Sequence, residues 1–252
     1  MIILTTSIGY CPNELAIFRE SLIASGFVGS VVVLSDDSNC LTELSAEVIL
    51  DKDNGIPINS RRYLAYRDFL KGVTESVVIT DIRDVTFQKN PSEYMPIDGV
   101  NVFEEANRKK IMECGFNSSW MNALGVDNWD NKPIICSGTT SGTNLYDYCT
   151  EMWDRLVNAP KYVGIDQAVH NDLIYSGFTA NIHKNEDNEV YTVGHFPLES
   201  VKIENGFIVN KNNKKPCMVH MYDRHVNLTA SVMYRLGLDM KIFKSTLKGA
   251  MV

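Results

Sequence analysis

Short, unbroken apolar runs alternate along the chain with segments whose apolar residues recur every three or four positions. A run of four or five apolar residues bounded by turn signals reads as a buried strand, and the longer spacing reads as an amphipathic helix. Residues 2–5 therefore form a first strand. Pro12 then stands where a first helical residue belongs. Leu15, Phe18, Leu22 and Ile23 follow at helical spacing, and Gly26 and Gly29 close that helix. Ser30-Val31-Val32-Val33-Leu34-Ser35 is a second buried strand running into Asp36-Asp37. Strand, helix and strand in that order predict a right-handed crossover within a parallel sheet.

Ser60 is placed to cap a helix over 61–71, with Leu64, Phe69 and Leu70 as its buried stripe. Residues 76–80 are a third strand, which delivers Asp81-Ile82-Arg83-Asp84. Residues 99–103 are a fourth, ending in Glu104-Glu105. The second half is less regular. Residues 133–136 form a short strand that leads into Ser137-Gly138-Thr139-Thr140. One helix carries Leu145, Tyr148, Met152 and Leu156 on a single face, and another spans 166–175. Asn205-Gly206 between residues 201–204 and 207–209 is a hairpin signal. Polar stretches at 184–189 and 210–215 read as loops, and Cys217-Met218-Val219 is a last short strand that presents His220. With no repeat and no linker, the pattern predicts a single α/β domain over residues 1–225, its mostly parallel central sheet flanked by helices. Residues 226–252 read as a C-terminal extension that could lead into a further domain.

Composition narrows the function classes. At 44% hydrophobic and 22% charged residues, the chain is neither a disordered segment, a collagen-like repeat nor a coiled coil. It carries 24 basic against 31 acidic residues, a net charge of −7, and no Lys/Arg stripe, which argues against a nucleic-acid partner. Such a protein must gather its cations locally, or use a metal, to hold a phosphorylated substrate. Cysteines at 11, 40, 114, 136, 149 and 217 form no CxxC pair and match no zinc module, so reduced thiols are expected. Asn117-Ser118-Ser119 and Asn227-Leu228-Thr229 fit the glycosylation sequon, a pattern common by chance. The N-terminus has no basic lead and no long apolar region, and no run is long enough to span a bilayer. A soluble, cytoplasmic protein is the expectation.

In α/β sheets function collects at the carboxyl ends of the strands. Asp81 and Asp84 lie at such an end and suit a hard divalent cation, which takes few protein oxygens and leaves the rest to phosphate and water. Otherwise they are loop acids that cap helices or pair with Arg83. A phosphatase of the haloacid dehalogenase type would need Asp-x-Asp-x-Thr, and here Arg83 occupies the position of the second acid. His220 leaves the last strand with Arg224 four residues on. Mn²⁺ accepts an imidazole beside carboxylates, and Arg224 could grip a phosphate. Alternatively His220 is a core histidine and Arg224 pairs with Asp223. Asp166 and Gln167 sit in the first turn of a helix. Complementarity to the helix dipole accounts for the acid but not for the amide. Arg61, Arg62 and Arg67 make a local cationic patch, or else a solvated face whose stems cover apolar surface. Arg62 and Arg67 lie about 140° apart around a helix, so they cannot share one small ligand equally.

Thr5-Thr6 in the first strand, the strand-end Asp81-Ile82-Arg83-Asp84, Ser137-Gly138, Asp166-Gln167 and His220 occur in an order that resembles the GT-A class of nucleotide-sugar glycosyltransferases. Within that class the set looks most like the retaining enzymes of the glycogenin and bacterial lipopolysaccharide galactosyltransferase type. The resemblance covers residues 2–225. The stretch from Asp81 to Pro91 is also similar to a glycosyltransferase group of plants and large viruses, with an Asp-x-Arg-Asp-Val-x-Phe-Gln motif. The resemblance implies a Mn²⁺ or Mg²⁺ ion on Asp81, Asp84 and His220. It implies a nucleotide-sugar donor, a UDP-sugar, held by Thr5, Thr6, Tyr10, Arg62 or Arg67, Asp81, Ser137, Gly138 and Arg224. Asp166 and Gln167 would face the sugar as the catalytic pair. A hexose or deoxyhexose would pass to a glycan hydroxyl with retention. Two departures stand out. The acids are spaced Asp-x-x-Asp, which leaves open which one ligates the ion, and the phosphate-binding Lys expected after the metal His is missing, with Arg224 or His225 as its replacement. A metal-dependent nucleotide-sugar phosphohydrolase and a non-catalytic nucleotide-sugar or glycan-binding module are the rival readings.

Overall fold

A computed structural model describes residues 1–10, 12–35, 47–49, 55–105, 108–185, 189–197 and 200–239. Asp36, Asp37, Cys11 and Cys40 lie outside them. The strands are β1 (Ile2–Ser7), β2 (Ser30–Ser35), β3 (Glu47–Ile49), β4 (Val77–Thr80), β5 (Val85–Phe87), β6 (Val100–Glu104), β7 (Ile135–Gly142), β8 (Asn181–His183), β9 (Val190–Thr192), β10 (Lys202–Glu204), β11 (Phe207–Val209) and β12 (Met218–His220). The helices are α1 (Ala16–Ala24), α2 (Ile58–Leu70), α3 (Pro91–Tyr94), α4 (Gly115–Leu124), α5 (Leu145–Leu156), α6 (Ile165–Tyr175) and α7 (Val226–Arg235). The central sheet has seven strands in the order β3-β2-β1-β4-β7-β6-β8. Only β7 runs against its neighbours, so the sheet is mostly parallel, as expected.

The continuous apolar runs follow from burial on both faces. Successive side chains of a strand point to opposite sides. Leu4, Val32, Leu34, Val77 and Ile79 meet α2, α5 and α6 on one face, through Tyr63, Tyr66, Tyr148, Met152 and Val169. Their neighbours Ile3, Val31, Val33 and Val78 meet Phe18 and Leu22 of α1 on the other face, together with Val85, Phe87 and Met218. Those last residues belong to a small second sheet, β5-β12-β9, that lies against the main one. In α7, Leu228 and Val232 pack on Val219 and Tyr191 of the same small sheet.

The short β3, β5, β8 and β9 and the helices α3 and α7 were not expected, and three further features differ from the sequence reading. The helix expected over 61–71 starts a turn earlier, because the Pro57 carbonyl accepts the N–H bonds of Ser60 (3.0 Å) and Arg61 (2.9 Å). Ser60 is thus a buried residue inside α2 and not its cap. The strand expected over 133–136 extends through Gly142, every residue of it buried. Small polar residues suit this crowded central position, since β4 and β6 satisfy the backbone and the hydroxyls of Ser137, Thr140 and Ser141 find partners, although that of Thr139 does not. Thr140 donates to the Tyr148 hydroxyl (3.4 Å) and Ser141 to the Pro96 carbonyl (2.5 Å). Finally, α4 was not expected, although Phe116, Trp120 and Leu124 stand at helical spacing and Met121 is buried in the core. The hairpin at Asn205-Gly206 forms as expected, with positive φ at both residues (51° and 79°), the requirement of a type I′ turn. Cys114, Cys136, Cys149 and Cys217 are buried free thiols. Asn117 is buried with its amide on Cys114 Sγ, so the first sequon offers no accessible acceptor. No helix among the described residues is long and apolar enough to cross a membrane.

Candidate active site

Asp81 is the first residue past β4, and Asp84 immediately precedes β5, so the chain leaves one sheet on an acid and enters the other on a second. His220 ends β12, which pairs antiparallel with β5 in the register His220↔Val85. A Met221 N–H bond to the Asp84 carbonyl (2.8 Å) fixes that junction. Imidazole and carboxylates thereby converge. His220 Nε2 lies 3.4 Å from Asp81 Oδ2 and 3.5 Å from Asp84 Oδ1. One potential ligand atom from each residue falls within 4.8 Å of the others.

This donor set fits a divalent cation. Nε2 is buried and has no hydrogen-bond partner, a costly arrangement for a polar atom without a role. Two carboxylates and an imidazole make a mixed oxygen and nitrogen donor set for a divalent cation. Space is kept by Gly138, where a Cβ would fall 2.5 Å from both Asp81 Oδ2 and His220 Cε1. Burial pushes the Asp81 carboxyl up, but Arg62 and His220 outweigh it and hold it well below the usual range. Asp84 is likewise lowered, with His220 overcoming burial. Burial opposes protonation of His220, yet the Cys136 sulfur and the facing carboxylates hold its pKa well above the ordinary value. The acids call for positive charge at this corner, which a proton supplies and a divalent cation would supply in its place.

Arg62 connects this triad to α6. Its side chain, 10% exposed, donates through one nitrogen to Asp81 and through the other to Asp166 Oδ2 (2.9 Å) and the Ser137 carbonyl (3.4 Å). Its guanidinium lies 5.4 Å from the centre of the Tyr63 ring, whose hydroxyl donates to the same carbonyl (3.2 Å). The Ser137 hydroxyl donates to Asp166 Oδ2 (3.2 Å). Burial raises the Asp166 carboxyl despite the pull of Arg62. Gln167, which the helix dipole left unexplained, uses both ends of its amide. Oε1 accepts the Ser137 N–H (2.7 Å), and Nε2 donates to Glu105. The other Glu105 oxygen meets His195 Nε2 at 2.5 Å. His170, one turn further along α6, is a core residue. Its Nδ1 meets the Tyr148 hydroxyl at 2.8 Å, and burial drives its pKa down to about 3.

These groups line one cleft of about 860 Å³. Thr6 and Tyr10 lie along it, as do Arg62, Asp81, Asp84 and His220. Ser137, Gly138, Asp166, Gln167 and Arg224 also line it. Arg224 stands at the rim, 43% exposed, with its guanidinium 3.9 Å from Asp84 and 3.8 Å from Asp223. Thr5 is buried beneath the cleft and does not line it. Arg67 points elsewhere and pairs with its neighbour Asp68 at 2.7 Å, as its angular offset from Arg62 implies.

The sequence reading assigned no role to Glu105, His195, Phe116 or Trp120, which also line the cleft. Glu105 carried the same strand-end signal as Asp81 but lacked a visible partner. His195 lies in a turn with no motif. Trp120 packs flat on Gly164 (φ +87°), where a Cβ would fall 2.3 Å from the indole.

No protein-family model matches the chain, and no curated protein matches it. Among solved structures it is similar to the galactosyltransferase LgtC in complex with donor and acceptor sugar analogues. The TM-score is 0.55 at 14% identity, over 94% of this chain and 95% of that one. At that identity the likeness is one of fold, and it extends the GT-A-type α/β arrangement over nearly the whole chain.

Proposed function

We propose that this chain is a metal-dependent glycosyltransferase that moves a hexose or deoxyhexose from a UDP-sugar to a glycan hydroxyl with retention. The observation that carries the reading is the convergence of Asp81, Asp84 and the buried Nε2 of His220, which makes no hydrogen bond, in a cleft of ligand size. The fold supports it, since the similar galactosyltransferase was solved with donor and acceptor sugar analogues. Thr6 and Tyr10 would contact the base and ribose, and Arg224 at the rim would meet phosphate oxygens. A Mn²⁺ or Mg²⁺ ion on the triad supplies positive charge for the diphosphate that leaves. Arg62 keeps Asp81 aimed at the triad and Asp166 aimed at the donor sugar. Gln167 acts as a positioning residue that locks Ser137 and Glu105. In a front-face retaining reaction the leaving phosphate takes the acceptor proton, so none of these carboxylates need act as a strong base.

UDP should bind more tightly with Mn²⁺ than with EDTA, because a chain of net charge −7 otherwise repels a diphosphate. Titration calorimetry in the two buffers measures this, and equal affinities would remove the ion from the reaction. Asp84→Asn and His220→Ala should each abolish most of the Mn²⁺-dependent gain. Asp98→Asn, an exposed control, should shift stability and affinity by no more than about 0.5 kcal/mol. Full metal-dependent affinity in both triad variants would overturn the ligand assignment.

A further inference from the structure

The cleft has a wall that the donor and the metal triad do not use. Phe116 is 72% exposed, although it lines the cleft. Trp120 follows one helical turn later on α4, with its ring centre 5.9 Å from that of Phe116 and the two planes tilted by 31°. Residues four apart lie on the same helix face, so the pair presents one nearly continuous aromatic surface. A single exposed aromatic needs no explanation. An exposed ring that leans on a half-buried, core-anchored indole along the wall of a polar cleft is different, because such anchored apolar surface marks a binding site.

The pair is tied to the centre of the cleft. The indole rests on the backbone of Gly164, two residues before Asp166. Three residues after Gly164, Gln167 holds Glu105, whose other oxygen meets His195. Tyr162 and Val163, just ahead of Gly164, extend the exposed apolar surface. The same cleft therefore offers an aromatic surface together with carboxylate, imidazole and amide groups. A pyranose ring has the complementary shape, with an apolar face of C–H bonds and an edge of hydroxyls.

We infer that Phe116 and Trp120 form the stacking platform for the acceptor, and that the acceptor presents a hexopyranose ring. This rests on the glycosyltransferase reading, but it can be tested by binding alone. The probes are methyl glycosides of glucose, galactose and mannose, added to the whole chain with UDP and Mn²⁺. Saturation-transfer NMR should show contact to the ring C–H protons of at least one of them. Phe116→Ser, a surface change that should leave the fold intact, should weaken that contact about fivefold, the scale of one lost aromatic stack. Phe116→Tyr should retain it, and UDP affinity should be the same in all three proteins. The platform is overturned if no methyl glycoside makes contact, or if Phe116→Ser leaves the contact unchanged. It is equally overturned if Phe116→Ser weakens UDP binding, which would give the rings to the nucleobase. A wild-type dimer in sedimentation that Phe116→Ser dissociates would give them to a second copy of the chain. Glycoside contact without any UDP binding would sink the donor assignment and leave the platform standing. UDP binding without glycoside contact would do the reverse.

Discussion

Arg62→Ala should lower the unfolding free energy by about 3 kcal/mol, the low end of what removing one partner of a buried ion pair costs. Asp166, 4% exposed, would lose the cation that faces it, and that loss carries most of the effect. Asp81 contributes less because its side chain is 31% exposed and opens to the cleft. Arg62→Lys should recover only part of the loss, since an ammonium cannot span both carboxylates and the Ser137 carbonyl as the planar fork does. Urea unfolding measures all three proteins. A loss below about 1 kcal/mol would show that Arg62 behaves as a surface cation. Repeating the measurement with Mn²⁺ adds a second reading. The ion should restore part of the stability of Arg62→Ala, because it neutralises Asp81 in place of the guanidinium and binds only the folded state.

Asp166→Asn should leave UDP-sugar affinity nearly intact and reduce turnover by about 10²–10³, the scale of losing one preorganised electrostatic group. The amide oxygen can still accept from Arg62 and Ser137, so the local geometry survives while the charge is lost. An interaction stronger in the transition state than in the ground state shows itself in turnover and not in affinity. In the proposed reaction Asp166 would stand beside a sugar that becomes oxocarbenium-like, and would be such a case. NMR of the product should show the anomeric configuration of the donor, and an inverted centre would sink the retaining mechanism. Normal turnover in Asp166→Asn would reduce the residue to a helix N-terminal acid.

The strands that could be read from the sequence are those whose environment is uniform. β2 and β4 are buried on both faces and run apolar over Val31–Leu34 and Val77–Ile79, β1 opens on three apolar residues, and β6 keeps its apolar character around the single buried Asn101. The acids at the end of β4 were legible because a carboxylate after such a run is expensive unless it is used. β7 was truncated because Ser, Thr and Gly carry turn propensities, and only the strands on either side turn them into a ladder. α4 was missed although Phe116, Trp120 and Leu124 recur at helical spacing. Phe116 opens on the cleft and the buried Asn117 faces inward, while Met121 lies in the core and Trp120 and Leu124 pack against it, so the polar and apolar residues of α4 do not separate into a solvent face and a core face. Helical phase showed that Arg62 and Arg67 must part company, but not which of them turns inward. Glu105 and His195 stand 90 residues apart, and nothing local announces their contact.

The placement of His220 across from Asp84 has a consequence for biosynthesis. More than half of the chain's length separates the two residues, and they meet only when β12 docks onto β5. Contacts of such long sequence separation form late, because closing the intervening loop costs entropy before it is rewarded. A chain emerging from the ribosome can assemble β1, β2 and β4 and expose both acids well before the histidine has been synthesised. Until then the acids are only a pair of neighbouring negative charges. On the proposed reading, a complete ion site would therefore exist only once β12 has docked, and a half-made chain would not compete with the finished protein for metal.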